Sequence, residues 1–523
     1  MKVLVYDQFW STMGGGEKVA GAIAQVLAGA GHDVTLLAHE PLDLEALSER
    51  LDLDVAGLPV AVVEETPDAV SEASAGYDLF VNASFTSGAR NEAPRGLYYV
   101  HFPTVPLLAR SRPRRAVAAA ARRLVGATEP TVEVRRGLHS PDVLRRHSVR
   151  WTTGDARLLV AAAPGERVPV RLAFGRNLHP DVGPVPVEVR AGDRVLATAT
   201  VTPVARRSDL RRLVAVHVEV EGRPDGQPVE VAVVSPTHRP SALGVAGDHR
   251  ALGVPLAAAE AGRGPGRWLA ARLPGLFETP GSVAFLDTYD GLLANSTFTQ
   301  TWVTRLWDRP SEVLYPPVSQ YEPGRKDRTI LHVGRFFGRG TGHSKKQLEL
   351  VGAFRRLHES GRAEGWRLQL VGGCAPEHHG YLEEVRAAAE GLPVELLVGA
   401  TGDELRAAYA RASIYWHATG LGEDEKAHPD RFEHFGITTV EAMSAGAVPV
   451  VIARAGQREV VRPGQDGEWF DDLDGLVEAT AGLVADGGRR ARLAAKARER
   501  ARAFSLDAFG ERLLAEVDGL DAR

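Results

Sequence analysis

Twice along this chain, a short run of branched apolar residues ends near a glycine and gives way to helical spacing. The first run is Lys2-Val-Leu-Val-Tyr6, then Met13-Gly-Gly-Gly-Glu17-Lys18, with apolar residues following at Val19, Ile23, Val26 and Leu27. The second is Thr329-Ile-Leu-His-Val333, then Gly334 and Arg335, with a helix predicted over 346–358 that carries Leu348, Val351 and Phe354 on one face. A strand without polar alternation must be covered on both faces, which implies a parallel sheet between helix layers. Each series continues in kind. Strands are predicted at 34–38, 60–63, 78–83, 96–100, 291–296 and 311–318 in the first, and at 367–371, 394–398, 413–417 and 448–452 in the second. The fold class is therefore α/β, with two doubly wound Rossmann-like domains whose ligands lie beyond the C-terminal strand ends, across a cleft.

Residues 151–260 break this rhythm. Short alternating segments at 157–161, 168–173, 185–189, 195–201, 213–220 and 229–234 are separated by Pro, Gly and Asp, as in an inserted all-β, sandwich-like domain. Before them, residues 110–150 hold eleven arginines against Glu129, Glu133 and Asp142. The stretch 113–125 is spaced as a basic amphipathic helix, suited to an anionic membrane surface or simply to water. The predicted division is 1–109 with 280–322 as one discontinuous domain, a basic helical connector at 110–150, the β insert at 151–262, a second Rossmann-like domain at 323–505, and a closing helix at 506–523.

Composition narrows the function. The single cysteine, Cys374, excludes an intrachain disulfide framework and a Cys-based zinc site. A formal net charge of -5 argues against a nucleic-acid partner. No apolar run approaches the roughly 18 to 20 residues of a membrane span. The opening Met1–Tyr6 reads as a strand rather than an export signal, so the expected location is cytoplasmic, at most peripheral on the inner face of a membrane.

The densest chemistry is Glu433-His-Phe-Gly-Ile-Thr-Thr-Val-Glu441-Ala-Met-Ser-Ala-Gly446, followed by a buried strand. Gly436 precedes a helix and Gly446 ends it. Glu433 is thus predicted on a loop and Glu441 in the helix's opening turn, both facing one crevice. A helix N-terminus attracts phosphate, and carboxylates beside it gain only by accepting from hydroxyls. A ligand with phosphate and sugar parts satisfies both. Three further places fit such a ligand: the glycines 14–16, where backbone could approach closely; His101, just past a strand end; and Arg335 with Lys345-Lys346, cations at a strand end and a helix start. A tight turn, a structural histidine and solvated surface charge are the respective alternatives.

With Pro449 and Gly456-Gln-Arg-Glu459, the Glu433-x7-Glu441 stretch resembles the retaining, GT-B-fold glycosyltransferases of family four. Gly14-Gly-Gly-Glu17-Lys18-Val19, Tyr99-Val-His101-Phe-Pro103 and Tyr315-Pro-Pro317 are further similar to enzymes that add α-1,2-mannoses to lipid-linked oligosaccharide, and to their bacterial relatives. The resemblance covers residues 1–108 and about 285–510. It implies that Arg335 and Lys345 bind the donor diphosphate, that Glu433 holds donor sugar hydroxyls, and that Glu441 holds the ribose. Gly15 and Gly16 would approach the phosphates, His101 the transferred sugar, and Phe435, Gly436 and Ile437 would complete the donor site. The implied reaction moves a hexosyl unit with retention, forming an α-linkage to a glycan or lipid-linked acceptor, with GDP-mannose the first donor and a UDP-hexose the alternative. A non-catalytic glycan-binding scaffold working through the β insert is a further alternative. No cofactor is implied, because the nucleotide-sugar is itself a substrate, and no metal, because no DxD stands in a strand-end context: Asp52-Leu-Asp54 and Asp472-Leu-Asp474 read as surface turns. The chain departs from the family's pattern in the long stretch 338–344 before Lys345, and the acidic stretch 422–426 suits either an acceptor or water.

Overall fold

The computed structural model describes residues 1–85, 87–103, 132–139, 142–144, 147–176, 178–203, 213–243, 250–262, 284–338 and 344–520. Two parallel sheets organise them. The first runs in the order Glu312–Val313, Gly291–Ala294, Arg95–Val100, Leu79–Asn82, Lys2–Tyr6, Asp33–Ala38 and Val60–Val62. The second runs Val394–Val398, Arg367–Gly372, Thr329–Val333, Ile414–His417, Val448–Ile452 and Glu468–Phe470. In both, the first strand of the series lies inside the sheet, so the chain winds outward in two directions from it. The crevice at that reversal is where such folds hold ligands. In the first sheet it lies past Tyr6 and Asn82; in the second, past Val333 and His417.

Local chemistry sets the helix starts. Ser296 accepts from the Thr299 N–H at 3.1 Å and opens Thr297–Trp307. Thr66 does the same for Pro67–Ser74, whose first residue, proline, has no N–H to lose. The helix Ile437–Ser444 ends as its sequence foretold, with Gly446 in the left-handed region at φ +82°. The expected strand at 311–318 is shorter, Glu312–Val313, because Pro316 and Pro317 follow and cannot donate to a ladder.

A β-rich region interrupts the first sheet, and the chain returns to pair Gly291–Ala294 with Arg95–Val100 in parallel. This region begins earlier than the expected boundary at 151. Val132–Leu138, Asp142–Leu144 and His147–Val160 are strands, so the helical reading of 110–150 fails for its second half; residues 104–131 lie outside the described part. The physical reason is the arginine content: Val132 and Leu138 are buried while Arg135 and Arg136 face water, and the basic face masked a strand's alternation. Pro255–Ala261, which lacks branched residues and was not predicted, also joins as a strand between His147–Val160 and Arg167–Phe174. All described pairings here are antiparallel, around a core containing Trp151, Leu172, Phe174 and Val231. The region docks on the first sheet's helix layer through the Asp68 carboxylate, which accepts from the Gly137 N–H at 2.6 Å.

The closing helix, Leu506–Leu520, does not finish the second sheet. It crosses to the first, where Phe509, Leu513, Val517 and Leu520 join the core built by Val3, Val5 and Ile23. Two halves of the chain are thus tied by a buried helix face. Leu513→Ala should cost roughly 2 to 5 kcal/mol, the usual range for a fully buried leucine. Hydrogen exchange followed along the chain should show protection lost first in Lys2–Tyr6 and Asp33–Ala38; loss beginning in the second sheet would contradict this coupling.

Candidate active site at the facing strand ends

The second sheet builds most of the site. Thr329–Val333 ends at Gly334 and Arg335, and Ile414–His417 beside it ends at His417. Arg335 is exposed, with its guanidinium stacked 4.8 Å over the Phe337 ring. Buried Gln347 fixes the turn below it by donating to the carbonyls of Gly334 and Arg335 at 3.2 and 3.1 Å. Gly334 is required for space: a Cβ there would come within 2.9 Å of Lys345 Cγ and 3.1 Å of His332 Nε2. Lys345 therefore lies directly on the strand end that carries Arg335.

From there Lys345 Nζ reaches Glu433 Oε2 at 2.7 Å, and His417 Nε2 donates to the same oxygen at 3.2 Å. Burial alone would raise the Glu433 carboxyl, but the Lys345 charge and the His417 contact outweigh it and hold it well below the usual range. Lys346 points elsewhere, to Glu423 at 2.9 Å, which also takes Arg431 at 2.9 Å. Glu423 of the acidic stretch 422–426 is thus neutralised by cations from outside the stretch rather than left to solvent.

Glu441 occupies a separate setting. It lies in the second turn of Ile437–Ser444, not the opening turn, and is buried. Tyr409 Oη donates to its Oε2 at 2.8 Å. Burial raises its carboxyl, and the charge of Lys18 opposes that only in part. Lys18 comes from the glycine-led helix Gly15–Gly29 and also donates to Ser319 Oγ at 2.5 Å, which donates in turn to Asp52 at 2.9 Å. Asp52 is thereby part of this network. Tyr415, whose hydroxyl donates to Thr438 at 2.8 Å, feels the charge of both Glu433 and Glu441 and lies between their settings.

The first sheet supplies the opposite wall. Gly15 begins its helix, so the glycine stretch is a helix start rather than an open loop, pinned by Glu17 accepting from the Gly14 N–H. A Cβ on Gly15 would lie 3.1 Å from Ile437 Cδ1, and one on Gly16 would lie 3.6 Å from His101 Cε1. His101 Nε2–H donates to the Ala83 carbonyl at 2.8 Å, which leaves Nδ1 as the acceptor. Phe435 is buried against Tyr315 and Phe504, so it supports the loop rather than presenting its ring. Gly436 is held at φ +116°, where a Cβ would strike Gln457 Nε2 at 2.1 Å.

Two contacts across the walls had no signal in the sequence beyond residue type. His434 stacks on Phe102 at 3.9 Å and 9°, with Phe298 behind. Glu459 accepts from the N–H groups of Thr297 and Phe298, both at 2.7 Å, and from Tyr315 at 3.1 Å, so the second half of the chain caps a helix of the first. His417, predicted only as a strand residue, could have been found by the strand-end argument applied to His101.

Residues 319–500 match the family described as glycosyl transferases group 1. That segment is a group 1 glycosyl transferase domain. Over 250 residues the chain is 26% identical to a GDP-Man:Man(3)GlcNAc(2)-PP-Dol alpha-1,2-mannosyltransferase of Dictyostelium discoideum, covering 44% of this chain and 47% of that protein. Over 86 residues it is 41% identical to a D-inositol 3-phosphate glycosyltransferase of Xylanimonas cellulosilytica, covering 16% of this chain and 21% of that one. The chain spans at most about half the length of these curated relatives. Among solved structures it is similar to Anabaena HepE with UDP-glucose, at TM-score 0.52 and 14% identity over 99% of this chain and 100% of that one. It is also similar to a sucrose-phosphate synthase from Thermosynechococcus elongatus, at TM-score 0.51 and 14% identity over 100% and 99%. At such identities the likeness is one of fold, and that fold is GT-B.

Two buried histidines make the transferase domain sensitive to acid. Burial lowers His332, to about 3, and also lowers His417. Both are neutral when folded, whereas the unfolded chain takes protons near pH 6.5. Stability is therefore full above about pH 6.5 and falls below it, by up to about 1.4 kcal/mol per pH unit per histidine. Urea midpoints between about pH 7.5 and 5.5 should drop, and His332→Gln should flatten the slope; a flat wild-type profile would count against the assignment.

Proposed function

We propose that this protein is a retaining glycosyltransferase that moves a hexosyl unit from a nucleotide-sugar to a glycan or lipid-linked acceptor, forming an α-linkage. The observation that carries the reading is the Lys345–Glu433 pair beside Arg335, beyond the second sheet's strand ends and opposite Gly15, Gly16 and His101. A diphosphate needs cations on a rigid base, and exposed Arg335 with half-buried Lys345 beside it offers them. A sugar needs acceptors for its hydroxyls, and Glu433, kept ionised, offers them. Glu441 would take the ribose, and the leaving phosphate would accept the proton of the incoming hydroxyl while the two cations stabilise its growing charge.

GDP-mannose is the first donor in this reading because relatives from Dictyostelium discoideum and Xenopus laevis, 26% and 27% identical, are named as GDP-Man transferases. UDP-hexoses form the comparison. We further assign the β-rich region 132–262 as an inserted, sandwich-like domain, 1–109 with 280–322 as the acceptor domain, and 323–505 as the donor domain. The basic segment from 110 would meet an anionic membrane from the cytoplasmic side, and no metal would be needed. Among the described residues no helix is long and apolar enough to cross a membrane.

A thermal-shift panel of GDP, UDP, ADP and their sugar conjugates should rank the donors, since a ligand at 100 times its Kd adds about 2.7 kcal/mol. Transfer should persist in EDTA. Glu433→Ala and Arg335→Ala should each cut transfer by about 100-fold or more with unfolding midpoints little changed. Near wild-type turnover in both variants would sink the assignment.

A further inference from the structure

The site holds a side chain whose role the diphosphate and sugar assignments do not use. His417 is 1% exposed and ends the strand that lies beside Arg335's own strand, at the reversal point of the second sheet. Its Nε2 meets Glu433 Oε2 at 3.2 Å. A carboxylate kept ionised can only accept, so Nε2 carries the proton and Nδ1 is an acceptor; among the described residues Nδ1 meets no donor. Among the described residues Glu433 is therefore the one side chain that hydrogen-bonds the ring, and the ring shares Glu433 Oε2 with Lys345.

Glu433 Oε2 has two donors of different kinds. Lys345 is a cation on a four-carbon stem at the start of Gln347–Glu359, and it is the group a diphosphate would compete for. His417 is fixed in a buried strand and has no charge to offer an anion. When phosphate draws Lys345 away, the histidine contact is the one that stays. Among the described residues Glu433 Oε1 accepts from no side chain, so it is the oxygen left for hydroxyls.

We propose that His417 is a positioning residue: it fixes Glu433 so that one carboxylate oxygen faces the donor sugar, and it does this independently of diphosphate binding. The proposal rests on the reading of the site as a nucleotide-sugar site. It predicts a split that a purely structural histidine would not give. Losing the Nε2–H should weaken recognition of the sugar while leaving recognition of the nucleoside diphosphate intact.

The substitutions His417→Asn and His417→Gln separate the two. The glutamine amide can reach the position of Nε2 and keep the donor, whereas the asparagine amide mimics Nδ1 and loses it. Calorimetric Kd values for GDP and GDP-mannose, and for UDP and UDP-glucose, are measured on wild type and both variants, together with kcat and KM for transfer. For the pair that binds wild type, His417→Asn should leave the diphosphate Kd within about twofold. It should weaken the sugar-nucleotide Kd and kcat/KM by about 10- to 100-fold, the usual effect of losing a hydrogen bond to a charged group. His417→Gln should recover most of that. Equal losses for diphosphate and sugar nucleotide, or no loss in either, would overturn the role of His417 while leaving the site reading intact. A wild-type protein that binds none of the four ligands would overturn both. If His417→Asn does not fold, His417→Phe, which keeps the ring's bulk without a donor, carries the same comparison.

Discussion

A carboxylate in a half-closed crevice stays ionised only if donors face it, and Glu433 has two on a single oxygen. That shared oxygen sets conditions on everything around it. Lys345 must be pressed onto the end of Thr329–Val333, which is why residue 334 has no side chain. His417 must end a fully buried strand, which demands apolar neighbours on both sides of the sheet and gives Ile414-Tyr-Trp its character. The loop carrying Glu433 must be held against the next one. Gly456 does this by donating its N–H to the Glu433 carbonyl at 3.0 Å, in a space where a Cβ would strike the His434 carbonyl at 2.2 Å. The charge arrangement is thus a product of close backbone packing, and the glycines are its cost in conformational freedom.

The two carboxylates that stand eight residues apart in sequence do not share a partner in space. Glu433 is paired with a cation and held low; Glu441 is buried beside tyrosines and raised. The separation follows from helix geometry, since Glu433 precedes the helix and Glu441 lies in its second turn, facing Tyr409. Environments that push two similar groups in opposite directions suit them to different tasks. An ionised acceptor suits hydroxyl groups, the role proposed for Glu433. A carboxyl raised by burial, with a lysine arriving from the other half of the chain, reports on how the halves are set.

Much of the fold was legible because parallel strands covered on both faces leave continuous apolar runs, and Lys2–Tyr6, Thr329–Val333 and Val448–Ile452 are such runs. Glycines at 334, 436 and 446 marked the ends. The start of the β-rich region was not legible, since the exposed arginines at 135 and 136 gave a strand the look of a basic helix, and Pro255–Ala261 has too few branched residues to announce itself. In the candidate site, residue type and strand position pointed to Arg335, Lys345, Glu433 and His101. They could not find Lys18 beside Glu441 or Glu459 at Thr297, because these contacts join residues distant in sequence, 162 positions apart in the second case, through the packing of whole sheets.

Those long-range contacts share a direction. Glu459 caps a helix of the first sheet, His434 stacks on Phe102, Lys18 leans toward Glu441, and Leu506–Leu520 buries its apolar face in the first core. The buried helix face is the strong tie, because apolar area stabilises at every pH and salt concentration, and it lies away from the crevice. The contacts lining the crevice are polar or a single ring stack, each contributing on the order of 1 kcal/mol. A chain tied apolar at one side and polar at the other opens at the polar side first. That is the side where Gly15 approaches Ile437 and His434 stacks on Phe102, so the same distribution of forces that holds the halves together also decides where a ligand can enter.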